Sequence, residues 1–118
     1  MKKKVKVSVS REQLKGNLDT LILSTLSGGP AHGYAVISQL AEDSNGVFTL
    51  PEGTIYPALH RLEKMRLLKS YWADGDTARR RVYEITAEGR RVLREQRNTW
   101  TEFSSVMNKI LHIQGALA

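Results

Sequence analysis

The sequence contains no cysteine, which removes disulfides, thiolate metal sites and cysteine nucleophiles from consideration at once. Its three histidines, at 32, 60 and 112, have no partner at i+3 or i+4, the spacing that sets two metal ligands on one helix face. No metal and no cofactor are expected. The carboxylates are scattered along charged stretches, without the paired environments that separate an acid from a base. Ser24 and Ser27 stand near His32 in the chain, but no triad signature surrounds them. Gly28-Gly29 lacks the following lysine and serine of a phosphate loop and reads as a helix stop. Nothing here points to an enzyme. A long hydrophobic run is missing too: no stretch approaches about 18 apolar residues. The opening MKKKVKVSVS is basic but has no apolar h-region, so neither export nor a membrane partner is expected and a cytoplasmic location is.

What is present is ordinary in amount, with 41% hydrophobic and 25% charged residues over 118 positions. One domain fits that length, with a core small enough that dimerisation would add to it. The net charge of +6 and pI of 9.8 favour a polyanionic partner. Residues 1–9 carry Lys2, Lys3, Lys4 and Lys6 and read as a disordered basic arm, either a solvated tail or a source of phosphate contacts.

Ser10 to Gln13 fits a capping box, and Leu14, Leu18, Leu21, Ile22 and Leu26 continue from it as one helical face. Ser27-Gly28-Gly29-Pro30 ends that helix. A second helix is expected from His32 or Gly33 to Asp43, with Val36, Ile37, Leu40 and Ala41 inward and Ser44-Asn45-Gly46 as its stop. Its link to the next helix is longer than that of a minimal helix-turn-helix.

The central stretch is LPEGTIYPALHRLEKMRLL, Leu50 to Leu68. With Ile55 at the origin of a helical wheel, Leu59 and Leu62 fall within about 40° of it. Thr54, Pro57, His60, Arg61 and Lys64 lie on the far side, between roughly 140° and 260°. Pro57 either sits in the opening turns, which a start near Glu52–Thr54 allows, or kinks the helix. Two strand patterns follow, Leu68–Trp72 and Arg80–Ile85, joined by a turn with an Asp-Gly pair. Alternation places Arg81, Tyr83 and Ile85 on one face and Arg80, Val82 and Glu84 on the other. Helix followed by basic hairpin is the order of a winged helix-turn-helix. An amphipathic surface helix with a solvated face would show the same wheel.

Thr86 is the N-cap expected for a long last helix, reaching Leu111 or beyond. Leu93, Trp100 and Met107 repeat every seven residues, as do Gln96, Phe103 and Ile110, which is the spacing of a helix packed along another helix. About 26 residues would span about 39 Å, more than the front half can cover. A second copy of the chain is the natural partner.

On HGYAVISQL (His32–Leu40), LPEGTIYPALHRLEKMRLL (Leu50–Leu68) and RRRVYEITAEGRRVL (Arg79–Leu93), the chain resembles the PadR family of transcriptional regulators, its short subfamily in particular. The resemblance implies a mainly α fold with a small β-hairpin: a winged helix-turn-helix over 10–85 and a C-terminal dimerisation helix over 86–118. At Met65-Arg66 the chain departs from the family's acidic residue and glycine, which predicts a less sharp helix exit. Trp100 aligns with a tryptophan of the multidrug-responsive member from Lactococcus, where paired indoles sandwich flat aromatic drugs. That implies an effector site formed by Trp100 and Phe103, with Asp19, Thr20 and Leu23 of the first helix as walls. The other reading of Trp100 is a closed interface. The acidic residue four positions past the tryptophan in that relative is Ser104 here.

The expected function is a homodimeric repressor on a pseudo-palindromic double-stranded DNA operator, released by a small aromatic effector. Arg61 is the favoured base reader, because a guanidinium bonds bidentately to guanine. Thr54, Pro57, His60 and Lys64 share its face, and Lys64, Arg79, Arg80 and Arg81 suit phosphates. Tyr34 and Tyr56 would either donate to phosphate or cap the core. The expected dimer interface is Leu14, Leu18, Leu93, Gln96, Trp100, Phe103, Met107 and Ile110. The rivals are a winged-helix module that binds an acidic protein and a ligand carrier with no DNA role, which would leave the arginine face unexplained.

Overall fold

The computed structural model describes residues 9–75 and 78–114. All but Val9 of the expected N-terminal arm lies outside the described residues, as do the hairpin tip at 76–77 and the chain after 114. Four helices and a three-stranded antiparallel sheet make up the fold: α1 Arg11–Leu26, β1 Ala31–His32, α2 Gly33–Asp43, α3 Glu52–Lys64, β2 Leu68–Asp74, β3 Arg79–Ile85 and α4 Ala87–Leu111.

The local chemistry of each terminus explains where the elements stop. At α1 the capping box forms in full: Gln13 N–H donates to Ser10 Oγ, and Ser10 N–H donates to Gln13 Oε1, each at 3.1 Å. Past α2, Asn45 takes a left-handed φ of 53°. The Gly46 amide reaches back to Ala41 O and the Asn45 amide to Glu42 O, which together cap the last carbonyls. The same device ends α3. Arg66 has φ 63°, Leu67 N–H donates to Leu62 O and Arg66 N–H to Glu63 O. The exit of α3 is therefore sharp, contrary to expectation. Arg66 accepts the left-handed geometry that a glycine would have taken for less.

The core is built from the stripes of all four helices and the inner face of the sheet. Leu18, Ile22, Leu23 and Leu26 of α1 meet Val36 and Leu40 of α2, and Ile55, Ala58, Leu59 and Leu62 of α3. Tyr83 and Ile85 close it from β3, and Leu93 from α4. Two expected interface residues are corrected by this: Leu18 and Leu93 face their own chain's core, at 8% and 2% exposure. Both lie where α1 and α4 cross, so the start of the α4 stripe is used up inside the protomer. Leu14 is partly buried against the same core.

The sheet is larger than the expected hairpin. β2 and β3 pair from Leu68↔Ile85 to Asp74↔Arg79, and β1 adds Ala31↔Tyr83 and His32↔Val82 on the other edge of β3. A two-residue strand after Pro30 is too short to leave an alternation signal. At the base of the wing, Thr86 caps α4: Gly89 N–H donates to its Oγ1 at 3.0 Å, and its own hydroxyl donates to Arg66 O at 2.8 Å. Gly89 must be glycine because an added Cβ would stand 2.2 Å from Leu67 O.

Candidate nucleic-acid interface

α3 positions the central candidates. Ile55, Ala58, Leu59 and Leu62 are buried, so Pro57, His60, Arg61 and Lys64 are turned to solvent and Thr54 is half-buried. Pro57 is the sixth residue of the helix, just past the first turn. The bond it cannot donate would have gone to Gly53, an exposed residue whose carbonyl water can reach.

The favoured reader is not idle. Arg61 forms an ion pair with Asp19 of α1. Its place on the wheel, at the flank nearest α1, makes that contact possible. Asp19 was expected to line an effector site and Arg61 to face DNA, and the structure brings the two together. The next residue of α1, Thr20, also from the expected effector site, donates its hydroxyl to Gln96 Oε1 of α4 at 2.6 Å. Gln96, expected between subunits, thus fastens α4 to α1 within the chain. Leu23 is a correction: with no accessible surface, it belongs to the core and can wall no pocket.

The wing arginines divide by task. Arg81 Nε donates to Ser70 Oγ at 3.0 Å, and its guanidinium stands 3.5 Å from Glu63 Oε2. Ser70 in turn donates to Glu63 at 2.5 Å. This triangle ties the wing to α3, so Arg81 braces the interface more than it reaches out from it. Arg79 and Arg81 both lie over the indole of Trp72, at 5.4 and 5.5 Å from its centroid, within cation–π range. Arg79 is otherwise exposed, with Asp74 at 3.9 Å. Arg80 projects from the opposite face of β3 toward His32.

Between the wing and the start of α2 runs a cleft of about 550 Å³, lined by His32, Tyr34, Tyr56, Trp72, Arg79 and Arg80 among others. Gly33 lets the Tyr56 ring pack against the start of α2, since an added Cβ would stand 2.5 Å from that ring. Burial first, then Glu52 and Tyr34, pushes the Tyr56 phenol above its ordinary range. It stays protonated at neutral pH and able to donate. Trp72, His32, Ser70 and Glu63 were not singled out in the sequence for this surface. Trp72 carried a faint signal, an aromatic on a strand opposite arginines, while the others depend on pairings that only the fold creates.

The exposed half of α4 is the second candidate surface. Trp100 and Phe103 are each more than half exposed, with ring centroids 6.2 Å apart. Val106, Met107, Ile110 and Leu111 continue the apolar stripe. Among the described residues no three His, Asp or Glu side chains gather as a metal site would need, and no helix is long and apolar enough to cross a membrane.

Comparison with known proteins agrees with this architecture. A transcriptional regulator of Mycobacterium tuberculosis is 35% identical over 83 residues, 70% of this chain and 75% of that one. A transcriptional regulator from Clostridium thermocellum superposes with a TM-score of 0.77 at 34% identity, covering 83% of this chain and 96% of its own. A PadR family regulator from Eggerthella lenta gives 0.76 at 37%, covering 87% and 88%. Residues 22–95, from the middle of α1 into α4, match the PadR-like transcriptional regulator family, and the chain belongs to that family.

Proposed function

We propose that this DNA-binding regulator works as a homodimeric repressor on a pseudo-palindromic operator, in the cytoplasm and without catalytic activity. The observation that carries the reading is the pairing of two surfaces on one chain. One is the exposed polar and cationic face of α3 beside a braced basic wing. The other is an apolar stripe on α4 from Trp100 to Leu111 that none of the described residues covers. Two copies joined along that stripe present two α3 helices, which suits half-sites about 34–36 Å apart. Thr54, Pro57, His60, Arg61 and Lys64 face the groove in this reading, while Tyr34, Tyr56, Arg79 and Arg80 meet the backbone. No observation favours an acidic protein as the partner instead.

The test is a gel shift on the DNA upstream of the protein's own gene, with random duplex as competitor and Arg61→Ala alongside. A discrete, competitor-resistant complex that the variant loses supports the operator reading. Binding removed equally by random DNA, there and on other upstream regions, would falsify it. For the effector, Trp100 and Phe103 of both copies would stack a small planar ligand at the dimer axis. In a Trp72→Phe background, Trp100 fluorescence should respond to such ligands. A gap-free indole pair whose emission no planar ligand moves sinks that part.

A further inference from the structure

A neutral imidazole has one lone pair, yet two N–H groups are aimed at the ring nitrogens of His32. The Ala35 amide donates to Nδ1 at 3.2 Å, which is the N-cap bond of α2. Arg80 Nη1 stands 2.8 Å from Nε2. Only one of the two can find a lone pair. The Ala35 amide is fixed in the first turn of a helix, whereas Arg80 is an exposed side chain that can turn aside, so the tautomer with the lone pair on Nδ1 and the proton on Nε2 satisfies the group that cannot move. In that tautomer the Nε2–H and the guanidinium confront each other as two donors, and a guanidinium has no acceptor to offer. The group that reconciles them is an anionic oxygen.

We propose that His32 Nε2–H and Arg80 form a two-donor seat for one phosphodiester oxygen of the DNA backbone, joining the start of α2 to the wing. The seat opens on the cleft described above. The backbone of β1 holds His32 opposite Val82, two residues from Arg80, so seat and wing move together. The positive end of α2 points the same way, and the protonated Tyr56 phenol lies in the same cleft. The proposal rests on the DNA-binding reading and adds to it a residue, His32, that looks like a helix cap alone. Free phosphate offers the same oxygen chemistry, so the experiment separates the two sources.

The experiment uses the full chain and a random-sequence duplex, because a backbone contact needs no operator. Nitrogen-15 correlation of the imidazole in the free wild type should show the Nε2–H tautomer, and the Nδ1–H tautomer overturns the proposal. His32→Asn keeps a good N-cap and removes the donor at the Nε2 position, its own shorter amide N–H groups lying nearer the backbone. Its melting temperature should hold within a few degrees while duplex affinity falls about three- to tenfold, the loss of one hydrogen bond. The slope of log affinity against log salt should stay unchanged in His32→Asn and fall by about one in Arg80→Gln, which removes a charge. The double variant should lose less than the two single losses combined. A stable His32→Asn that binds as wild type overturns the seat alone, whereas a wild type that binds no duplex overturns the DNA-binding reading with it. Inorganic phosphate moving the His32 resonances as far as duplex does, at equal phosphate concentration, assigns the seat to free anions and removes DNA from the proposal.

Discussion

Replacing Asp19 by asparagine would separate two tasks that Arg61 has. Its guanidinium is paired with Asp19, the side chains being 51% and 34% exposed, and it sits on the face of α3 that would meet DNA. A half-exposed pair of this kind contributes about 0.2–1 kcal/mol, so Asp19→Asn should lower the melting temperature by only a few degrees. Arg61 has to leave Asp19 before it can reach a guanine edge, and the same energy opposes binding. With about 1.4 kcal/mol to a factor of ten, freeing the arginine should raise operator affinity by up to about fivefold. Losing a negative charge near phosphates would also raise affinity, whatever Arg61 does. A double-mutant cycle distinguishes the two. Wild type, Asp19→Asn, Arg61→Ala and the double variant are titrated onto one labelled operator by fluorescence anisotropy at about 0.15 M salt, where the screening length is about 8 Å. Arg61→Ala should lose about 1–3 kcal/mol of discrimination, and in that background most of the Asp19→Asn gain should vanish. An equal gain in both backgrounds would refute the reasoning, for Asp19 would then act as a general charge and Arg61 would never leave it.

Three further predictions concern stability. Arg66→Gly should stabilise the protein by about 0.5–1 kcal/mol, since a non-glycine residue at φ 63° costs about 1–2 kcal/mol and glycine returns part of that as unfolded-state freedom; an unchanged thermal midpoint would show that Arg66 is unstrained. Gly89→Ala should cost about 3 kcal/mol in urea unfolding, the upper range for overpacking, because the Cβ meets Leu67 O, which also accepts from Thr86 N–H and cannot withdraw; a loss below about 1 kcal/mol would mean that the α4 start shifts freely. Burial, the largest cause, raises the Tyr83 phenol above 10.0, so the stability of its neutral form is intact below that pH and lost as pH rises through the raised value. Tyr83→Phe should therefore unfold at higher pH than wild type in an alkaline titration, and coincident curves would assign alkaline unfolding elsewhere.

The helices were legible because each signal was local. Ser10 and Gln13, the Leu14–Leu26 stripe, the Asn45-Gly46 stop and the Thr86 cap act within a few residues, and the fold uses them as the spacing suggests. The α3 face was legible for the same reason. What escaped was whatever depends on a partner distant in sequence. β1 is a strand only because β3 lies beside it. Arg81 looks like a phosphate contact until Glu63 and Ser70 are brought to it. The heptad of α4 is a real stripe, but periodicity cannot say which neighbour covers which turn. Leu93 and Gln96 are taken within the protomer, and among the described residues it is the turns from Trp100 onward that remain open.

That division of the stripe limits how the two ends of the molecule can communicate. Gln96 is held by Thr20, and Asp19, one residue earlier on α1, holds Arg61. The start of α4, the middle of α1 and the flank of α3 therefore form one connected body. In the proposed dimer, an effector at Trp100 would alter the angle between the two heads in one of two ways. It can bend α4 beyond Gln96, which leaves the head unchanged and moves only the spacing. Or it can drag α1, which breaks or reshapes these two side-chain contacts along with the Leu93 packing and the Arg90–Ser27 and Arg97–Ser24 contacts of the same seam. The two contacts themselves can transmit about 0.5–1.5 kcal/mol for the neutral hydrogen bond and up to about 1 kcal/mol for the exposed pair. Together that is at most about 2.5 kcal/mol, or roughly 70-fold in DNA affinity, within the usual 1–3 kcal/mol of allosteric coupling. A larger response would come from the rest of the α1–α4 seam or from spacing, where a head bound to a misplaced half-site loses its groove contacts as a whole. Thr20→Val separates the routes: it removes the Gln96 bond, so a response carried by α1 should shrink while one carried by spacing keeps its size.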